Sequence, residues 1–267
     1  MKNFVLIDGS YFIFFRYYAL VQWWKVAKKE PQENFQECPE FIEKFKKTFS
    51  EKFNDIEKKL KIENPIYIVG KDCPRETIWR NELFNAYKTH RVSEPFIKHF
   101  FKMAYNEELF INMNCKIISY PSLEADDCIA LTIKRIQELY LEDDVMIYII
   151  TSDMDYLQLA CENVKIYNLK YTQLIESKTS TGNAEKDLFC KIVMGDKSDG
   201  IQGIFSKCGI KTAIKCFEDP EFFEKKLNET PGSREKFENN KKIIDFNYIP
   251  EELVNKFKEN ILNQLQI

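Results

Sequence analysis

The chain has 267 residues, 44% of them hydrophobic and 30% charged, with 8 glycines, 9 prolines and a formal net charge of −3. That suits one large globular domain, or a core with a smaller lobe, and favours helices over an all-β sandwich. With only 2 histidines and 8 scattered cysteines that form no C-x-x-C pair, the composition argues against a zinc site, Ser-His-Asp hydrolysis and His-based phosphohydrolysis.

Taken in chain order, short β-type runs alternate with helical patterns through the first two-thirds. Residues 4–7 read as a buried strand that ends on Asp8, followed by helices over 10–29 and 39–62. Residues 66–69 form a second strand, with Asp72 just past it, followed by helical patterns over 74–89 and 95–110. A third strand, 116–118, leads through Pro121 into a helix over 123–141 that opens with Glu124, Asp126 and Asp127. The strand 145–150 delivers Asp153 and Asp155, and 164–167 is the last strand. Helical patterns then follow over 185–194, 208–217, 220–228, 232–243 and 251–265. Strand–helix alternation implies right-handed crossovers, so the expected fold is α/β: a mostly parallel sheet flanked by helices over 1–185, with a C-terminal helical lobe over 186–267. No apolar run approaches the ~18 residues of a membrane span, the N-terminus is no signal sequence, and unpaired thiols suit a reducing, intracellular compartment.

The acids carry the functional reading. In an open parallel sheet, ligands sit beyond the carboxyl ends of the strands, and here three strands and one helix start bring acids to that edge. Each taken alone has a plain explanation: an acid in a first helical turn complements the macrodipole, and Asp153 suits an N-cap. Six or so carboxylates at one edge repel one another unless cations neutralise them. Hard divalent ions with oxygen ligands, Mg²⁺ or Mn²⁺, answer that need, and the acids suffice for two ions ~4 Å apart, the arrangement used in phosphodiester hydrolysis. A further acidic loop, with Asp196 and Asp199, opens the lobe.

The motifs resemble the flap endonuclease/5′-nuclease superfamily, which includes the 5′-nuclease domain of bacterial DNA polymerase I and phage enzymes. VLIDGS at 5–10 resembles its DGN/DGS motif, and RNELFNAYKTHR at 80–91 its R-x-E-x-x-x-x-YK-x-x-R helix. EADDCI at 124–129, TSDMDYLQ at 151–158, and GDKSDGIQG at 195–203 through KTA at 211–213 are similar to its remaining motifs, in the family's order. DCPRETIWR at 72–80 and IDFNYIP at 244–250 bring the likeness closest to the T-even phage branch.

The resemblance implies one metal group of Asp8, Asp72, Glu124, Asp126 and Asp153. A second comprises Asp153, Asp155, Asp196 and Asp199, with Asp127 contributing. It implies Lys88 and Arg91 as catalytic cations beside Asp153, and a helical arch over about 80–112 whose aromatics between Val92 and Phe110 offer a stacking surface. Nucleic-acid contacts would come from Arg80, Tyr87, Lys88 and Arg91, and from Gly203, Lys207, Gly209, Lys211, Thr212 and Lys215 in a helix–three-turn–helix that holds duplex DNA, with a monovalent cation at its turn. Arg80 and Lys88, eight residues apart, would share one helical face. The sequence departs from the pattern at Gly200, Gln202, Ser206 and Lys207, all in that turn.

The expected activity is structure-specific 5′-nuclease cleavage, exonucleolytic and at flaps, in DNA replication and repair. The substrate would be branched or nicked duplex with a 5′ single strand, including RNA–DNA hybrid ends, cut by a monomer working with replication proteins and away from membranes. The alternatives are a PIN-type endoribonuclease, which leaves the Lys-rich segment 195–217 unexplained, and a structure-specific DNA-binding protein without catalysis, which leaves the full set of acids unexplained.

Overall fold

The computed structural model describes residues 1–27, 34–91, 96–106 and 109–265, and of Asp143 the backbone alone. The expected α/β fold is observed. β1 (Lys2–Asp8) leads into α1 (Gly9–Val26) and α2 (Pro39–Leu60), then β2 (Ile66–Gly70), α3 (Arg80–Leu83), α4 (Ile97–Tyr105), α5 (Leu109–Asn112) and β3 (Lys116–Ile118). α6 (Ala125–Leu139), β4 (Val145–Ile150) and β5 (Val164–Tyr167) complete the sheet layer. The remainder is helical: α7 (Ala184–Met194), α8 (Ile210–Glu218), α9 (Pro220–Glu229), α10 (Ser233–Ile244) and α11 (Glu251–Asn260).

All strand pairs are parallel, in the order β3-β2-β1-β4-β5. β1 is central, and Phe4, Val5, Leu6 and Ile7 are all fully buried, because a strand covered on both faces has no polar side to show. Phe4 and Leu6 face a core with Ile147, Ile149 and α6 residues such as Ile129, Ile133 and Ile136. Val5 and Ile7 face the opposite core, which is aromatic. There α2 sets Phe41, Phe45, Phe49 and Phe53 at four-residue spacing, one buried stripe against Phe12 and Phe100. The chain runs outward from β1 through β2 to β3, then returns to β4 on the other side of β1. The carboxyl ends of β1 and β4 are therefore the switch point where such sheets open a crevice.

Two helical expectations are corrected. The pattern over 74–89 is not one helix: a 3₁₀ turn over Arg75–Thr77 and the single turn of α3 are followed by turns. Tertiary bonds override the local pattern, since Trp79 N–H donates to the Ser122 carbonyl (3.0 Å) and Lys88 N–H to that of Asp199 (3.1 Å), with Lys88 at φ +53°. The pattern over 95–110 splits into α4 and α5; residues 92–95 and 107–108 of the expected arch, and 28–29 of the first helix, lie outside the described residues.

The lobe has its own small core, including Cys190, Val193, Phe205, Ala213, Cys216 and Leu227. Asn240 Nδ2 donates to the carbonyls of Ile192 and Gln202, both at 2.9 Å, tying α10 to α7 and the following turn. The lobe does not extend to the last residues. Phe246, Ile249, Phe257 and Leu262 turn back to complete the core beneath α6.

Phe45 packs against Phe49 and Phe100 with no exposed surface. Phe45→Ala should lower unfolding free energy by about 3–5 kcal/mol, measured by urea denaturation.

Candidate active site

Because the strands are parallel, their acid-bearing ends meet at one edge. Asp8 closes β1 and caps α1: Tyr11 N–H donates to one carboxylate oxygen (3.0 Å) and the Thr151 hydroxyl to the other (3.2 Å). Asp72 receives the Ser10 hydroxyl at 2.5 Å and the Ala125 N–H at 2.9 Å, which fixes it between β1 and the start of α6. Asp153, past β4, accepts from Asp155 N–H (2.9 Å). Burial, Asp72 and Asp153 together push the Asp8 carboxyl up to about 7. Burial, Asp127 and Glu124 push Asp126 well above the usual carboxylate range.

Oxygens of Glu124, Asp126 and Asp127 lie within 4.8 Å of one another, and so do those of Asp155, Asp196 and Asp199. Asp8 and Asp126, raised by burial and by neighbouring carboxylates, belong to an all-oxygen donor set of the kind that a hard divalent ion would relieve, so the clustered acids fit such ions. Glu124 is held below its usual range: against its burial, Lys88 and Arg80 stabilise the charge. Asp196, likewise against burial, is brought down to about 2 by Lys191 and the Ser198 hydrogen bonds.

Three expected residues sit elsewhere than at a reactive surface. Asp127 is fully buried, taken up by both Arg80 amino groups (2.8 and 2.7 Å) and by Trp79 Nε1 (2.9 Å), so its oxygens are committed to holding the protein rather than an ion. Arg80 is 2% exposed, and its Nε donates to the Ile243 carbonyl at 2.8 Å. Tyr87 is also buried, donating to Glu124 at 3.0 Å. Arg80 and Tyr87 therefore lie beneath the acids, out of reach of a nucleic acid. Arg80 and Lys88 do converge, but on Glu124 and through a turn rather than along one helical face.

Lys88 bridges Glu124 (2.6 Å) and Asp199 (3.7 Å), while the half-exposed Arg91 pairs with Asp199 and donates to the Ser198 carbonyl at 3.1 Å. In the lobe, Gly203 lies against α7, where a Cβ would meet the Met194 carbonyl at 2.6 Å; its role is close packing. Lys207, Gly209, Lys211 and Lys215 are exposed around the start of α8, with Thr212 half-buried among them and Lys215 lying 4.1 Å over the Phe222 ring. Two of the departures from the family pattern, Gly200 and Lys207, take φ of +81° and +53°, a region glycine enters freely and lysine at some cost.

Sequence reasoning missed Lys191, which pairs with Asp155 and, at 2.8 Å, with Asp196. It stands on α7 five residues before Asp196, a spacing that a break at Gly195 folds into contact. Ser10, Thr151 and Trp79 were likewise missed as partners of Asp72, Asp8 and Asp127.

A family model described as the 5′-3′ exonuclease, N-terminal resolvase-like domain, matches residues 3–189. The 5′-3′ exonuclease of Buchnera aphidicola subsp. Acyrthosiphon pisum is 29% identical over 214 residues, spanning 79% of this chain and 68% of that protein. The ribonuclease H of Enterobacteria phage T4 is 27% identical over 215 residues, 72% of this chain and 67% of that protein. The bacteriophage T5 D15 flap endonuclease, solved as a pseudo-enzyme–product complex with DNA and metal ions, shares the fold at a TM-score of 0.66 and 16% identity over 98% of each chain.

Two outcomes follow from the geometry. Arg80→Met strands the buried Asp127 charge and should cost about 3–5 kcal/mol of stability by urea unfolding, whereas a surface contact residue would leave the midpoint unmoved. Asp8 is raised on folding, so its contribution is complete below its ordinary range and lost as pH rises through about 7. With chelator present, the Asp8 contribution should lower melting temperature from about pH 4 to about pH 7 and level off above that, and Asp8→Asn should flatten the slope.

Proposed function

The chain belongs to the 5′-3′ exonuclease family, and on that premise we propose that it is a divalent-metal-dependent, structure-specific 5′-nuclease. It hydrolyses phosphodiester bonds at 5′ single-strand/duplex junctions, exonucleolytically and at flaps, leaving a 5′-phosphate and a 3′-hydroxyl. One observation carries the reading: Asp8, Asp72, Asp126 and Asp153 reach one sheet edge from separate elements, where burial, together with Asp72 and Asp153, raises the Asp8 carboxyl to about 7.

Asp8, Asp72, Glu124, Asp126 and Asp153 would hold one ion, and Asp153, Asp155, Asp196 and Asp199 a second. Magnesium is the fitting ion for such oxygen sets, with manganese able to replace it. When bound, these ions supply an activated water and neutralise the leaving oxyanion. The protein's own part is positional and electrostatic. Lys88 and Arg91, held at the rim by Asp199, face the charge that grows on the phosphate in the transition state. Lys207, Lys211 and Lys215, with the N–H groups at the Gly209 end of α8, hold one backbone of the duplex arm, with a monovalent cation at the adjoining turn.

The nuclease core and arch would occupy 1–185, completed by the returning C-terminal segment, and the duplex-holding lobe would comprise α7 to α10. RNA–DNA hybrid ends, replication partners, a monomeric state and an intracellular setting belong to the same reading. Among the described residues no helix is long and apolar enough to cross a membrane.

On a labelled 5′-flap duplex, Asp153→Asn should bring magnesium-dependent cleavage to background while DNA affinity stays within about twofold. Lys88→Ala should slow single-turnover cleavage by about 100-fold or more with little change in binding. Equal loss of binding and cleavage in both variants would refute these roles.

A further inference from the structure

The acids of the site divide by whether the protein itself supplies a counter-charge. Asp8, Asp72, Asp126 and Asp153 form no ion pair among the described residues, whereas Asp155, Asp196 and Asp199 all do. Asp199 meets Lys88 and Arg91, which also contact Glu124 and the Ser198 carbonyl. Lys191 is different, because its ammonium serves Asp155 and Asp196 alone.

Lys191 is half-buried in the last turn of α7, which stops at Gly195, where φ is +73° and the chain turns back. Its ammonium pairs with Asp155, in the 3₁₀ turn past β4 (Met154–Leu159), and with Asp196 Oδ2 at 2.8 Å. The other oxygen of Asp196 is taken by Ser198, whose N–H and hydroxyl donate at 2.7 and 2.6 Å. Asp155 Oδ1 is buried and accepts no hydrogen bond, so among the described residues the ammonium is what neutralises it. Two carboxylates from separate elements thus share one positive charge, at the point where oxygens of Asp155, Asp196 and Asp199 come within 4.8 Å of one another. Without a cation between them these acids would repel, and a buried oxygen left with no donor is costly. One ammonium satisfies the group only in part, since it carries half the charge of a divalent ion and fewer coordination directions. The adjoining cleft of about 440 Å³, lined by Asp8, Asp153, Lys191 and Asp196 among others, gives the side chain room to swing out.

We propose that Lys191 is the place-holder of the second ion: its ammonium keeps Asp155 and Asp196 together in the ion-free protein and must withdraw before a divalent ion takes them. The inference rests on the two-ion reading above and makes Lys191 a positioning residue that sets the affinity of one ion group and not the other. The unpaired acids at the strand ends bind without displacing anything, while the lobe-side group binds against a resident charge.

The test is titration of the DNA-free protein with manganese(II), reading free ion by electron paramagnetic resonance. Lys191→Met should tighten the weaker class of ion about tenfold and leave the tighter class within about threefold. Lys197→Met is the charge control: Lys197 is exposed beside Asp196, forms no ion pair among the described residues, and its loss should move either class by no more than about threefold. Melting temperature supplies the second readout. In chelator, Lys191→Met should melt about 2–4 °C below the parent, and saturating manganese should erase or reverse that deficit. A lysine that is merely structural would leave the same deficit with and without manganese, and that result overturns the proposal. So does a weaker class that Lys191→Met loosens, leaves unchanged or tightens no more than Lys197→Met. Fewer than two ions bound in both the parent and Lys191→Met overturns the two-ion reading itself, and the place-holder with it.

Discussion

A single buried guanidinium joins the parts of this molecule that chemistry requires to be joined. Arg80 grips Asp127 with both amino groups, reaches Glu124 with one of them, and donates through Nε to the Ile243 carbonyl at the end of α10. It thereby ties the segment leading to the arch, the start of α6 and the C-terminal lobe to one point. Such a network is expensive to desolvate and is worth its cost only when every member is matched, as here. It explains why Asp127 is given to positioning, with Glu124 also buried against Arg80, Tyr87 and Lys88, while Asp126 on the same turn stays partly exposed.

The strand ends and most of the acids were legible in the sequence because both follow local rules. A parallel strand buried on two faces reads as an apolar run, and an acid just beyond it announces the sheet edge. The segment 74–91 was not legible in the same way. Its helical periodicity is real, but Trp79, Arg80 and Tyr87 are pulled to acids on α6 and Lys88 to the Asp199 carbonyl, contacts about 40 to 110 residues distant in sequence. No local pattern encodes those partners. For the same reason burial reverses the reading of Arg80 and Tyr87, since a cation and a phenol between two motifs look like a contact surface until the acids beneath them are placed. Lys191 escaped notice because its partners are brought to it by the break at Gly195.

The net charge of −3 is equally uninformative as an average. Around the site five of the nine acids have a cation: Arg80 serves Glu124 and Asp127, Lys88 serves Glu124 and Asp199, and Lys191 serves Asp155 and Asp196, whereas Asp8, Asp72, Asp126 and Asp153 form no ion pair among the described residues. The site thus has an unpaired acidic side at the strand ends and a cation-matched side toward the lobe, and individual carboxylates are driven in opposite directions, Asp8 up and Asp196 down. A uniform acidic patch would shift all of them upward.

The return of the chain to the α6 face has a consequence for the order of assembly. β1 lies at the centre of the sheet but cannot pair with β4 until residues 145–150 exist, and the core beneath α6 gains Phe257 and Leu262 only later. During synthesis the opening strand therefore waits for one of its two neighbours until more than a hundred residues downstream, and the core beneath α6 is completed only when the last helices emerge. Contacts of such long sequence separation slow folding and leave apolar edges open in the interval. The same late helices seal the layer that holds α6 in place, so the acid cluster reaches its final geometry near the end of folding. A nascent chain would then acquire its fold and its destructive chemistry together.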